Sequence, residues 1–370
     1  MSVDPRKVEK AEYEKLLKDF GVKRIDDLIS ILPKSELNYL FTRRIVFAHR
    51  DFDKLIERLE DGEFSIVTGI MPSAERVHFG TKLVVDVVRF FQQFTDNVRI
   101  TIADIEADAT RGVPLHEARR RAIENYVPAR LALGLDPKKT RFYFQSRSVP
   151  VLQLSHIYGY MTTDNEIEAI YGKLTPGRFI AAITQAADVT RTSLYDLQTL
   201  VPIGIDQDPH IRFARDVVHR ARKIIPKLKE PVSVYFEFTP GIDGSPKMSK
   251  SRPSSCIRLP EEDYEDLRRR IKRASTGGRK TKEEQMRLGG EPDKCMIFAL
   301  FRQHLIKDDD ELEEIREECL SGKRMCSECK RLAFEKLKEF LDSFKRKFEE
   351  YKEYAKKLDY SVDELAFRAS

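Results

Sequence analysis

Apolar residues along this chain come in short dense runs separated by longer stretches with helical spacing. Phe64-Ser65-Ile66-Val67-Thr68 is such a run, ended by Gly69, and it reads as a strand. A turn at Met71-Pro72-Ser73 follows, then a helical pattern from about Gly80 to Phe94. After a break at Asp96-Asn97, Val98 to Ala103 is a second buried strand, Leu115 to Leu133 a helix, and Arg141 to Phe144 a third strand. Strand, helix, strand, helix, strand predicts an open parallel sheet of the nucleotide-binding type. Residues 150 to 200 read as mainly helical, Val201–Ile205 and Val232–Phe236 restore strands, and helical spacing runs from Pro260 almost to the end. Residues 1 to 60 read as polar helices, one capped by Asp4 and opening at Pro5, another with an apolar face over Ile25–Leu32. The expected organisation is therefore a helical N-terminal extension (1–60), an α/β domain with a helical insertion near 150–200 (61–255), and a helical C-terminal domain (256–370).

Composition narrows the class. The chain has 370 residues, 41% hydrophobic and 34% charged, which suits a globular protein with a heavily charged surface. No stretch approaches the roughly 18 apolar residues of a spanning helix. Met1 to Lys18 is charged throughout, without the apolar core of a secretory signal, so a cytoplasmic protein is expected. Net charge is only +5, yet residues 221–280 carry 15 Lys and Arg against 8 Asp and Glu. Arg268-Arg269-Arg270 with Lys272 and Arg273 is the densest part. It fits contact with a polyanion, and equally a solvated helix face balanced by Glu261 to Asp266.

Two segments carry candidate phosphate chemistry. Lys247-Met248-Ser249-Lys250-Ser251 follows Gly241-Ile242-Asp243-Gly244-Ser245-Pro246 and precedes Pro253, so turn residues bracket two lysines and two hydroxyls. A closing loop can place such ammonium groups on a departing pyrophosphate, where negative charge develops in the transition state. Between the first strand and its helix lies Pro72-Ser73-Ala74-Glu75-Arg76-Val77-His78-Phe79-Gly80. A helix N-terminus offers backbone N–H groups to an anion, His78 can donate to a phosphate oxygen, and Gly80 lets an adenine approach the backbone.

These segments resemble the ATP signatures of class I aminoacyl-tRNA synthetases. The lysine-rich motif is complete; the other reads His78-Phe79-Gly80-Thr81, with the hydroxyl of Thr81 where the family has a second histidine. Gly204-Ile205-Asp206-Gln207-Asp208-Pro209-His210 resembles tryptophanyl-tRNA synthetases, as do Thr276-Gly277-Gly278-Arg279, Gly289-Gly290-Glu291-Pro292 and, upstream, Arg43-Arg44 and Phe47-Ala48-His49-Arg50-Asp51. The resemblance spans about residues 35 to 350. It implies a Rossmann-like class I synthetase catalytic domain with an all-helical anticodon-binding C-terminal domain. The implied activity is ATP-dependent activation of L-tryptophan and transfer to its tRNA, with Mg2+ accompanying ATP, in a homodimer. By the same resemblance His78, Lys247, Ser249 and Lys250 are catalytic. Pro72, Gly80, Thr81, Gly204, Asp206 and Met248 hold ATP with His78, and Gln207 holds the amino acid.

A buried indole N–H requires an acceptor. The tyrosine and glutamine that serve archaeal and eukaryotic relatives fall at Val67 and Thr101 here. Ala182-Ile183-Thr184-Gln185-Ala186-Ala187-Asp188 resembles the bacterial tryptophan enzymes' helix, which assigns the contact to Asp188 with Gln185 one turn earlier. Tyrosyl enzymes place an aspartate at the same helix position, so Asp188 fits either substrate. Asp104 and Glu106, at the second strand's end, are candidates for the substrate ammonium. No histidine spacing suggests a metal site, and His78 alone receives a role. Of five cysteines, Cys295, Cys319, Cys326 and Cys329 cluster with gaps of 23, 6 and 2 residues. Such a set can hold zinc or, as in some tryptophanyl enzymes with a first gap one residue shorter, a four-iron cluster; reduced, unligated thiols are the alternative. A tyrosyl enzyme and a non-catalytic RNA-binding or regulatory paralogue are the competing functions.

Overall fold

The computed structural model describes Leu17 and residues 21–249, 252–260 and 262–361; the expected helix at Pro5 lies outside them. In chain order the elements used below are β1 (Lys23–Arg24), β2 (Val46–Arg50), β3 (Phe64–Ile70), β4 (Val77–His78), α1 (Thr81–Gln92), β5 (Val98–Ile102), α2 (Asp104–Arg111), α3 (Val127–Ala132), β6 (Thr140–Phe144), α4 (Val149–Tyr160), α5 (Pro176–Thr190), β7 (Gln198–Gly204), α6 (Asp208–Ala221), β8 (Val232–Phe236), β9 (Arg258–Leu259), α7 (Tyr264–Lys272) and α8 (Cys326–Lys357). Seven strands form one sheet in the order β1-β2-β8-β7-β3-β5-β6, and β3, β5, β6, β7 and β8 are parallel. Helices cover both faces, which is why the central strands read as continuous apolar runs: all five residues of β8 are buried. Alternation sends Ile66 into the core beneath α1 and Val67 into the core shared with α4, α5 and α6. Strand order reverses between β3 and β7, so a crevice opens outside their C-terminal ends.

Residues 21–60, the described part of the expected helical extension with Leu17, hold strands as well as short helices. β2 pairs antiparallel with β8, and β1 with β2, extending the sheet at its edge. The Arg50 guanidinium holds this edge in place through bonds of 2.8 and 3.0 Å to the buried Asp208 carboxylate. Val46 is the only β-branched residue in β2, so the run carries little strand signal. The segment after β2 turns back through Asp51 at φ 58°.

The helix expected over Leu115–Leu133 is interrupted. Leu115–Arg121 passes through a π turn at Ala122–Tyr126 into α3. Pro128 has no N–H to donate, and the wider turn ahead of it accommodates that loss. Helices after β9 share the main core rather than forming one of their own: α8 contributes Phe334, Leu337, Leu341, Phe344 and Phe348 to the cluster that includes Ile25 and Val127. Arg43 bolts the N-terminal segment to them, donating to the carbonyls of Arg302, Ile306 and Lys307 at 2.9, 2.7 and 2.8 Å. Among the described residues no helix is long and apolar enough to cross a membrane.

Candidate active site

An open cleft of about 820 Å3 lies at the C-terminal ends of β3, β7 and β8, where the reversal of strand order places it. His78, Gly80, Thr81, Gly204, Asp206, Gln207, Lys247, Met248 and Ser249 all line it. The two phosphate segments are joined physically: β4 pairs with β9, and the Phe79 N–H donates to Ile257 O at 2.9 Å. Met248 is buried against Gly80, where a Cβ would sit 3.7 Å from its own and 2.9 Å from the His78 ring. A side chain at Gly204 would meet Phe238 at 2.7 Å and Asp206 at 2.9 Å. Both glycines are thus fixed by close approach. Lys247 rests 3.6 Å from Asp206 and 4.8 Å from the centre of the Phe238 ring. Lys250 lies outside the described residues. Pro72 is buried and stands off the cleft lining, so the structure does not place it with the other nucleotide residues.

A second cavity, about 270 Å3, shares Thr68, Gly69, Met71, Ile203 and Gln207 with the cleft and is more enclosed. Glu106, Gln185 and Asp188 reach it, with Val67 and Thr101 in its wall. Asp188 is fully buried; it accepts from Tyr143 Oη at 2.9 Å and Gln145 Nε2 at 2.5 Å. Burial pushes its carboxyl up to about 6 despite these donors. Thr101, where relatives carry the indole-binding glutamine, shares a hydrogen bond with Tyr143. Glu106 is pushed up to about 7, first by burial and then by the charge of Asp188. Gln145 Oε1, Gln185 Oε1, Tyr171 Oη and His210 Nδ1 have no partner among the described residues. Burial pushes His210 down to about 4, so its ring is neutral at pH 7.

Asp104 does not reach either cavity. It is fully buried, accepting from the backbone of Ile105 and Ser146 at 3.1 Å each and from Arg119 at 3.0 Å. It anchors α2 to the segment after β6, and Glu106, two residues on, faces the cavity instead. Sequence reasoning missed Gln145 and His210 in the smaller cavity, Tyr143 bonded to Asp188 behind it, and Arg130, Glu237 and Phe238 in the cleft. Gln145 follows the C-terminal end of β6, so the rule that ligands bind beyond parallel strand ends was the signal for it.

The four clustered cysteines line one small cavity of about 20 Å3 with Gly277, Gly278 and Arg324. Burial pushes the Cys329 thiol up to about 12. Among the described residues no set of three or more Cys, His, Asp or Glu stands in metal-holding geometry. The basic triplet is partly structural: Arg270 is bound by Glu262 at 2.6 Å and Asp266 at 2.8 Å, and Arg268 lies over the Phe334 ring. Arg269 stays exposed.

Comparison with known proteins agrees with this geometry. Residues 59–342 match the family model described as tRNA synthetases class I (W and Y). A tryptophan–tRNA ligase of Aeropyrum pernix is 43% identical over 359 residues, covering 95% of each chain. One of Methanocaldococcus jannaschii is 40% identical, covering 94% of this chain and 95% of the relative. The crystal structure of the tryptophanyl-tRNA synthetase from Aeropyrum pernix superposes with a TM-score of 0.88 at 40% identity, covering 96% of this chain and 98% of that one. By fold and sequence, the chain belongs to the class I tRNA synthetases of the tryptophan and tyrosine family.

Proposed function

We infer that the chain is a tryptophan–tRNA ligase, using ATP as its Mg2+ complex. The observation that carries this reading is the enclosed cavity holding Glu106, Gln185 and Asp188, which opens at Gln207 onto the cleft lined by both ATP segments. A substrate carboxylate at that junction can attack the α-phosphorus; its oxygen–phosphorus bond forms as the bond to the β-phosphate bridge breaks, and pyrophosphate leaves. A terminal tRNA hydroxyl then attacks the activated carbonyl and AMP leaves. The protein's contribution is placement and charge. Lys247 and Lys250 meet the departing pyrophosphate with Ser249, His78 and Thr81 the phosphates, and Asp206 the ribose, while Gly80, Gly204 and Met248 shape the adenine site. Glu106 takes the ammonium, Gln185 and Gln207 position the amino acid, and Asp188 with Gln145 offers acceptors to the indole N–H. The aspartate also suits a phenol; the names of the relatives favour tryptophan.

The reading extends to a cytoplasmic homodimer serving the tryptophan tRNA. Val149, Leu152 and Tyr160 on α4 and Ile180 on α5 are large exposed apolar side chains that suit a subunit contact. The helices after residue 256 are the candidate anticodon arm, following the catalytic unit of 61–255. A zinc or four-iron centre rests only on the convergence of Cys295, Cys319, Cys326 and Cys329; metal analysis of anaerobically purified protein that finds none removes it. ATP–pyrophosphate exchange across the twenty amino acids tests the main reading. Exchange with tryptophan is expected. Exchange with tyrosine alone gives the substrate to the other branch of the family, and no exchange favours a non-catalytic paralogue.

A further inference from the structure

Arg130, on α3, lines the large cleft together with Lys247. Only 7% of it is exposed, and Nη1 has no hydrogen-bond partner among the described residues. A buried guanidinium is ordinarily paired, because leaving water without a counter-charge is costly. The carboxylates in the cleft are committed elsewhere: Asp206 faces Lys247, and Glu237 is held by Arg302 and Gln303. The charge interaction on Arg130 comes from the Tyr126 phenol, whose hydroxyl donates to Ala74 O at 2.9 Å. Burial accordingly pulls the guanidinium down to about 10, so it keeps its charge at pH 7 without an anion to meet it.

We propose that Arg130 is a substrate-binding residue whose counter-ion is the β,γ-phosphate portion of ATP, so that the triphosphate is gripped between Arg130 and the Lys247 loop. Its charge stays uncompensated in the free protein and is satisfied only when polyphosphate arrives. Guanidinium geometry suits bidentate contact with phosphate oxygens. The inference rests on the reading of this cleft as the ATP site.

The test uses the full chain and its Arg130→Met and Arg130→Lys variants, with ATP, inorganic pyrophosphate and AMP as probes in thermal-shift titrations and in pyrophosphate exchange. Methionine keeps most of the apolar stem and removes the charge. The expected result is a free Arg130→Met protein melting at or above the parent temperature. Its affinity for ATP and pyrophosphate falls about ten- to hundredfold, the range of a charge-assisted hydrogen bond, while AMP affinity is unchanged. Arg130→Lys recovers part of the loss. Unchanged ATP and pyrophosphate affinity in Arg130→Met overturns the proposal, as does a variant that unfolds or weakens AMP binding equally, since either marks a structural role. If the parent chain itself shows no ATP-dependent shift, the reading of the cleft fails and the proposal with it.

Discussion

Glu106→Gln separates the cost of the amino-acid cavity from its use. Glu106 is raised from the usual 4.5 to about 7 by burial and by Asp188. A carboxyl raised in this way binds its proton more tightly folded than unfolded. Its favourable contribution is complete below pH 4.5 and is lost as the pH climbs through 7. Linkage across that interval makes the ionised group destabilise the free protein by about 2.5 kcal/mol more at pH 8 than at pH 5. Glutamine carries no charge at either pH. The substituted protein should therefore gain about 2 kcal/mol over the parent at pH 8 relative to the comparison at pH 5. It should also lose tryptophan binding, because the ammonium has lost its anion. Urea unfolding at both pH values measures the first effect. Tryptophan emission measures the second with no protein tryptophan in the background, since the chain contains none. An equal stability change at both pH values, or full tryptophan affinity in the variant, refutes the reasoning.

Three further substitutions probe other links. Lys247→Ala should slow pyrophosphate exchange about a hundredfold by removing transition-state charge stabilisation, with tryptophan affinity by fluorescence unchanged. Gly80→Ala puts a Cβ 2.9 Å from the His78 ring; exchange at varied ATP should show KM for ATP raised about tenfold, one charge-assisted contact displaced. Arg50→Ala removes three hydrogen bonds from the buried Asp208 carboxylate and leaves it Arg212 at 3.0 Å and the Tyr235 hydroxyl; urea unfolding should register a loss of about 2 kcal/mol, less than for a charge left wholly unpaired.

The five parallel strands were legible because each is covered on both faces and therefore reads as an apolar run; β8 matches its expected bounds residue for residue. The ATP segments stood out because glycines and lysines there answer to phosphate chemistry, and β4 pairs with β9, a few residues beyond the lysine segment. β1 and β2 were not, since β1 has only two residues, both exposed, and Val46-Phe47-Ala48-His49-Arg50 holds a single β-branched residue and ends in two polar ones. Asp104 and Glu106 looked equivalent on paper. Two positions apart at a helix start, they point different ways, and only the fold shows Arg119 and Ser146 closing around the first. Gln145 had only its place beyond a strand end to mark it, His210 only its place in a recognised segment, and Arg130 no local pattern at all. Their significance lies in partners that are missing, which is a property of three-dimensional packing.

The central claim is transfer of tryptophan to tRNA, and charging assays measure it directly. Purified protein is incubated with ATP, Mg2+, unfractionated tRNA and labelled tryptophan or tyrosine in parallel, and acid-precipitable label is counted. ATP-dependent label on tRNA is expected from tryptophan and none from tyrosine. Label from tyrosine alone, or from neither, contradicts it.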